Sequence, residues 1–281
     1  MKAIVTGAGG QLGHDLVHLA TKRGWKVHGY SRAELDVTNL DAVKECVAAV
    51  NPDVIIHAAA YTKVDLAEQE PDLAYQVNAL GTRNVAIAAE EVGARLCYIS
   101  TDYVFDGKAN VPYREYDQTN PLSVYGKTKL AGEKLAASLS SRYYIVRTAW
   151  VYGKHGSNFV KTMLRLASEQ GELRVVDDQI GSPTYTVDLA DFLMELVQTE
   201  KYGIYHATGA GKCSWYEFAR AIFEAAGVDA VVHPVSTEAS PRPAPRPKFS
   251  VLDHMAIRAN GLSDLRHWRE GLHSYFADSS D

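Results

Sequence analysis

TGAGGQLG, residues 6–13, follows the apolar run KAIVT and opens QLGHDLVHLATKRG, in which Leu12, Leu16, Val17 and Leu19 return to one helical side. A strand, a glycine turn and a helix start in that order suit an anion. Gly7, Gly10 and Gly13 carry no side chain to keep a pyrophosphate off the backbone. The helix start, with Gln11 and Leu12, supplies N–H donors and a partial positive charge. The segment therefore reads as a dinucleotide-binding turn, and its place at the head of an alternating chain strengthens that reading.

The alternation continues outward from it. WKVHGY, DVIIHAAA, RLCYIST and YYIVRTAW read as strands. NLDAVKECVAAV, the long PDLAYQVNALGTRNVAIAAEEVG and the segment after Pro121 read as helices. This order predicts an α/β fold, a Rossmann-type doubly wound parallel sheet covered by helices on both faces. After about residue 150 the pattern weakens. NFVKTMLRLASE, VDLADFLMELVQT, SWYEFARAIFEAAG and LSDLRHWREGLHSYF read as helices, LRVVDD and GIYHAT as short strands, and SPRPAPRPK as a proline-rich loop. Residues 1–150 are expected to form the dinucleotide-binding domain. Residues 151–281 are expected to form mainly a smaller substrate-binding lobe, with some segments returning to the first domain.

Composition narrows the partners. The 281 residues are 46% hydrophobic and 22% charged, with net charge −5, which is ordinary for a globular protein. No basic stretch interleaved with aromatics argues for nucleic acid. No apolar run has the length of a membrane span, and the N-terminal run is too short for a signal peptide, so a cytoplasmic protein is expected. Cys46, Cys97 and Cys213 are few and scattered, and read as reduced thiols. The histidines show no metal-binding spacing, and no metal is expected.

Successive parallel strands end on one edge, and that edge gathers the candidate site. After the second strand come Ser31 and Arg32 rather than an acid. A guanidinium there suits the 2′-phosphate of NADPH, with NADH as the other cofactor; the other reading of Arg32 is a solvated loop charge. Asp36 and Val37 would border the adenine, and Ala58, Ala59 and Ala60 would let a flat cofactor pass the third strand. Thr101, Asp102 and Tyr103 follow the fourth strand. In NPLSVYGKTK, residues 120–129, Ser123 is a candidate N-cap, and Tyr125 and Lys129 share a helix face four residues apart. An ammonium beside a phenol lowers its pKa, and the pair could exchange a proton with a substrate oxygen. In the second lobe, Asn158, Lys161 and Arg246 are either diphosphate contacts or surface polar residues. Trp215 and Tyr216 either stack on a base or fasten a helix to the core.

Together the glycine triplet and YxxxK resemble the extended short-chain dehydrogenase/reductases. More narrowly, STDYVFDG, NPLSVYGKTKLAGE, RTAWVYG, NFVKTML, DDQIGSPTYTVDLAD and RPKFSVLD resemble the dTDP-4-dehydrorhamnose reductase family. The resemblance implies reduction of the C4 ketone of a dTDP-sugar, dTDP-6-deoxy-L-lyxo-4-hexulose, to dTDP-L-rhamnose with NADPH or NADH. It implies Tyr125 as general acid, Lys129 lowering its pKa and holding the nicotinamide ribose, and Thr101 bonded to the C4 oxygen. It also implies Asp102 and Trp150 against the sugar nucleotide. Some members bind magnesium through glutamates at a dimer interface. Asp15 and Val187 stand at those positions here, so the metal is not expected, and the protein is expected as monomer or homodimer. Two other readings remain open: a reductase or epimerase on another nucleotide sugar, and a non-catalytic regulatory subunit of the methionine adenosyltransferase type.

Overall fold

The structure, a computed structural model, describes residues 1–278. Six parallel strands form the central sheet: β1 (Lys2–Thr6), β2 (Lys26–Tyr30), β3 (Val54–His57), β4 (Arg95–Thr101), β5 (Tyr143–Thr148) and β6 (Gly203–His206). Their order is β6-β5-β4-β3-β1-β2. The order in which strands are added reverses between β1 and β3, with β2 on one side of β1 and β3 on the other, so the strand ends open a crevice there.

Alternate residues of each strand face opposite sides, and both sides are apolar. Ala3, Val5, Val54, Ile56 and Val146 pack with Leu12 and Leu16 of α1 (Gln11–Lys22) and with Leu189 and Leu193 of a helix at Thr186–Leu196. Ile4, Ile55, Leu96 and Ile145 pack with Val43 and Val47 of α2 (Leu40–Val50), Val85 and Ala89 of α3 (Gly81–Glu91), and Ala136 of α4 (Val124–Leu139). Residues beyond 150 thus complete the first layer: β6 closes one sheet edge against β5, and the helix at Thr186–Leu196 covers α1. A separate apolar cluster gathers residues beyond 150, with Tyr152, Val160, Leu173, Phe218, Ile222 and Trp268. A parallel pair of strands, Glu172–Val176 and Val231–Val235, adds Leu173 and Val175 to this cluster; the sequence pattern reveals only the first strand.

Two helices differ from expectation. The long helix before β4 is not uniform: a π-helical turn at Gln76–Leu80 joins Pro71–Tyr75 to α3. That turn buries Asn78, whose side chain bonds the backbone of Tyr61 in both directions, at 2.8 and 3.1 Å, and donates to Thr128 of α4 at 2.9 Å. The terminal helix starts at Trp268, not Leu262, because His267 is drawn into a β-bridge with Ala210.

Candidate active site

A cleft of about 810 Å³ opens at the carboxyl ends of the strands. Gly7 turns the chain at its base with φ +71°, and a Cβ there would stand 2.7 Å from the Ala59 nitrogen. Only glycine both takes that backbone and lets the loop touch β3's end. The turn delivers the N-terminus of α1 to the cleft. Its N-cap, Gly10, makes no side-chain cap and its first turn holds no acid. The helix start thus keeps its donors and its positive end for a ligand, which fits a dinucleotide pyrophosphate.

Gly7, Gly10, Gln11, Leu12, Gly13, Arg32, Asp36, Val37, Ala58, Ala59 and Ala60 all line this cleft, as do Thr101, Asp102, Tyr103, Tyr125, Lys129 and Trp150. Ser31 does not; its N–H donates to the Glu34 carboxylate at 2.8 Å.

The Tyr125 helix is seated by small residues and a cap. Ser123 Oγ accepts from the Gly126 N–H at 3.1 Å. A Cβ on Gly126 would stand 2.2 Å from the Tyr103 carbonyl oxygen, so the glycine lets α4 rest on the turn that follows Thr101. Tyr103 meets the Tyr125 ring edge-on, with centroids 5.5 Å apart. Gly126→Ala should therefore lower kcat at least about tenfold by displacing Tyr125, while NADP⁺ affinity holds within about twofold. Steady-state kinetics beside direct cofactor titration checks this, and an unchanged kcat would show that the close approach does not set the tyrosine.

Burial governs the titration of the site. It pushes the Tyr125 phenol up to about 12, against the Thr101 hydroxyl, which pulls it down. The Asp102 carboxylate adds to the rise, so the phenol stands above its ordinary value rather than below it. Burial also lowers Lys129, from its ordinary 10.5 to about 7, so near neutral pH its charge is only partly present. The Glu133 carboxylate, one helical turn on, pulls it back up. Lys129 Nζ donates to the Ile99 carbonyl at 2.6 Å and stands 4.1 Å from the Tyr98 ring centre. Thr101 Oγ1 donates to Asp102 Oδ1 at 3.0 Å and accepts from the Tyr103 N–H at 3.2 Å. Burial raises the Asp102 carboxyl to about 6.

The Lys129 shift has a consequence for stability. A depressed lysine pKa means that burying the ammonium costs stability, fully below pH about 7. Between about 7 and 10.5 the unfolded chain still holds the proton that the folded chain has released, so stability rises with pH. Lys129→Met should lose that slope. Wild type should gain on the variant in unfolding midpoint from pH about 7 to about 10; a pH-independent difference would contradict the lowered pKa.

Behind the site, Glu133 receives Ser100 Oγ at 2.5 Å and Arg147 Nε and Nη2 at 2.9 and 2.8 Å. Both charged side chains are almost wholly buried. The pair ties α4 to β4 and β5, the elements that carry Tyr125, Thr101 and Trp150's approach.

Trp150 holds φ +47°, a left-handed backbone uncommon for a bulky residue. Its ring stacks on Trp215 with centroids 3.4 Å apart and planes 7° apart, which makes an aromatic wall between the lobes' elements. Trp215 is thereby fixed by a protein partner.

Three expected diphosphate contacts lie outside the cleft lining. Asn158 caps the helix at Phe159–Gln170 by accepting from the Lys161 N–H at 3.0 Å, and its amide donates to Gln11 at 2.9 Å. Lys161 Nζ donates to the carbonyls of Lys154 and Gly156, at 2.5 and 3.0 Å. Arg246 forms a forked pair with Asp65, both bonds 2.9 Å. Each long polar side chain has found protein acceptors instead. Conversely, the cleft includes Tyr61, Ser100, Thr148 and Ser157, which the sequence pattern had not singled out. Thr148 lies in register with Thr101 at the end of β5, and its buried Oγ1 has no hydrogen-bond partner among the described residues. The strand-end reasoning that selected Thr101 applies equally to it.

Among the described residues no group of three or more His, Cys, Asp or Glu is placed to hold a metal ion, and no helix is long and apolar enough to cross a membrane. Asp15 is buried on α1, and Val187 packs in the second lobe's core.

Comparison with known proteins places this geometry in context. A family model described as the RmlD substrate binding domain matches residues 1–280. A dTDP-4-dehydrorhamnose reductase of Mycolicibacterium smegmatis is 47% identical over 275 residues, 96% of this chain and 84% of the relative. The spore coat polysaccharide biosynthesis protein SpsK of Bacillus subtilis is 45% identical, covering 99% of this chain and 98% of the relative. A solved dTDP-4-dehydrorhamnose reductase from Bacillus anthracis, in complex with NADP, superposes with TM-score 0.97 at 48% identity, over 99% of each chain.

Proposed function

Because the chain belongs to the RmlD substrate binding domain family, we propose that its cleft performs the reduction for which these relatives are named. The protein is an NAD(P)H-dependent oxidoreductase that reduces the C4 ketone of dTDP-6-deoxy-L-lyxo-4-hexulose to dTDP-L-rhamnose, the last step of dTDP-rhamnose synthesis. One observation carries the reading: Thr101, Tyr125 and Lys129 line the same cleft as the uncapped start of α1.

NADPH, when bound, supplies the reducing equivalent at carbon. Gly7, Gly10 and Gly13, with the N–H groups of Gln11 and Leu12, would hold its pyrophosphate; Asp36 and Val37 would border the adenine. Tyr125 gives its phenolic proton to the C4 oxygen as negative charge grows there. Its raised pKa keeps that proton in place at neutral pH, as a reduction requires. Lys129 would hold the nicotinamide ribose and, when protonated, would stabilise the phenolate left behind. Thr101 would donate to the same oxygen once its hydroxyl turns from Asp102. Asp102, Tyr103 and Trp150 border the sugar. Residues 1–150 act mainly on the cofactor and later ones mainly on the substrate, and the active unit is a monomer or homodimer.

The test is loss of reduced-cofactor absorbance on adding dTDP-6-deoxy-L-lyxo-4-hexulose. Turnover that yields dTDP-rhamnose is expected. Cofactor binding without turnover would remove this substrate and leave another nucleotide sugar.

A further inference from the structure

The end of β2 decides which cofactor this cleft prefers, and its arrangement departs from both familiar solutions. No acid stands at Ser31, where one would accept the 2′-hydroxyl of NADH, and Arg32 lines the cleft as a partner for the 2′-phosphate of NADPH. A carboxylate nevertheless returns to this spot from three residues on. The Ser31 N–H donates to Glu34 Oε2 at 2.8 Å. The Ser31 hydroxyl acts on the same carboxylate and, with that N–H, holds it below its usual range.

Ser31 lies outside the cleft lining, next to Arg32 and against the glycine turn. The Ala8 N–H donates to the Tyr30 carbonyl at 3.0 Å, and the Ser31 Cβ lies 3.6 Å from where a Cβ on Gly9 would stand. The other acid here, Asp36, lines the cleft and accepts from the Thr38 N–H and hydroxyl, at 2.9 and 2.8 Å; these bonds and the Arg32 charge lower its carboxyl. Among the described residues, neither Arg32 nor Glu34 forms an ion pair. A phosphate seeking Arg32 thus meets Ser31 donors already filled by an anion of the protein's own.

We propose that Glu34 is a specificity-determining residue. Its carboxylate occupies the Ser31 donors that a 2′-phosphate would use, and so holds down the preference for NADPH over NADH. The inference rests on the dinucleotide reading of the cleft. NADPH must displace the carboxylate and bear its repulsion; NADH, with a neutral 2′-hydroxyl, can leave it in place or donate to it.

The experiment is direct titration of NADP⁺ and NAD⁺ into wild type, Glu34→Gln and Arg32→Ala by calorimetry at low salt, with unfolding midpoints recorded for each. Glutamine keeps a neutral acceptor for the Ser31 N–H, so the turn survives while the charge is lost. Like charges close together repel even in water, and salt screens the repulsion. Glu34→Gln should therefore shift the Kd ratio at least about fivefold toward NADP⁺, and the shift should shrink in high salt. Arg32→Ala should shift it the other way. A Glu34→Gln ratio within about twofold of wild type, in a protein of unchanged midpoint, would overturn the role of Glu34. Failure of wild type to bind either nucleotide would instead overturn the cofactor reading beneath it.

Discussion

Tyr125→Phe is expected to lower kcat by about 10²–10⁴-fold while leaving NADP⁺ affinity within about twofold and the unfolding midpoint nearly unchanged. The substitution removes one hydroxyl and keeps the ring, so its edge contact with Tyr103 survives. The neighbouring donor is poorly placed to replace it, because the Thr101 hydroxyl is directed at Asp102. Lys129 is turned to the Ile99 carbonyl and is only partly charged near neutral pH. Loss of the phenol should thus leave the growing oxyanion without its proton. Near-wild-type turnover would mean that another group, or water, protonates the C4 oxygen, and the assignment of Tyr125 would fall.

The second large effect concerns stability. Glu133→Ala should destabilise the protein by about 3–5 kcal/mol, because it leaves the Arg147 guanidinium buried and uncompensated. The arginine would keep only long bonds, to the Glu115 carbonyl and His206, each 3.3 Å, and a position 5.1 Å from the Phe105 ring centre. Ser100 would lose its acceptor as well. Replacing both charges, as Glu133→Leu with Arg147→Met, should recover much of the loss, since an apolar pair of similar volume has no charge to desolvate. Urea unfolding measures both. A loss below about 1 kcal/mol in the single variant would show that the arginine readily finds other partners or water.

Local patterns made the first half of the chain readable. The glycine turn after KAIVT, the Ser123 cap and the i, i+4 spacing of Tyr125 and Lys129 depend on neighbours in sequence, and the structure forms each as read. Strand ends could be gathered on one edge because parallel order follows from alternation. What stayed hidden depends on distant partners. Arg246 meets Asp65, 181 residues away, and nothing in either segment names the other. Asn158 reads as a diphosphate contact or a surface polar residue; its cap on the helix at Phe159–Gln170 and its bond to Gln11, 147 residues away, emerge only in the fold. β6 is four residues long, and its place at the sheet edge depends on packing against β5. The π turn follows from Asn78 reaching Tyr61 and Thr128, contacts that helical periodicity does not encode. Spacing also reveals neighbours but not burial, and burial raises the Tyr125 phenol that the Lys129 spacing suggested would be lowered.

The most direct test of the central claim is where the reducing equivalent arrives. NADPH deuterated at the transferable position of the nicotinamide would be turned over with dTDP-6-deoxy-L-lyxo-4-hexulose, and the product examined by NMR. One deuterium at C4 of dTDP-L-rhamnose, matched mole for mole by oxidised cofactor, is the predicted result. Product without deuterium at C4, or conversion with no net cofactor oxidation, would contradict the account and point to an epimerase on this fold.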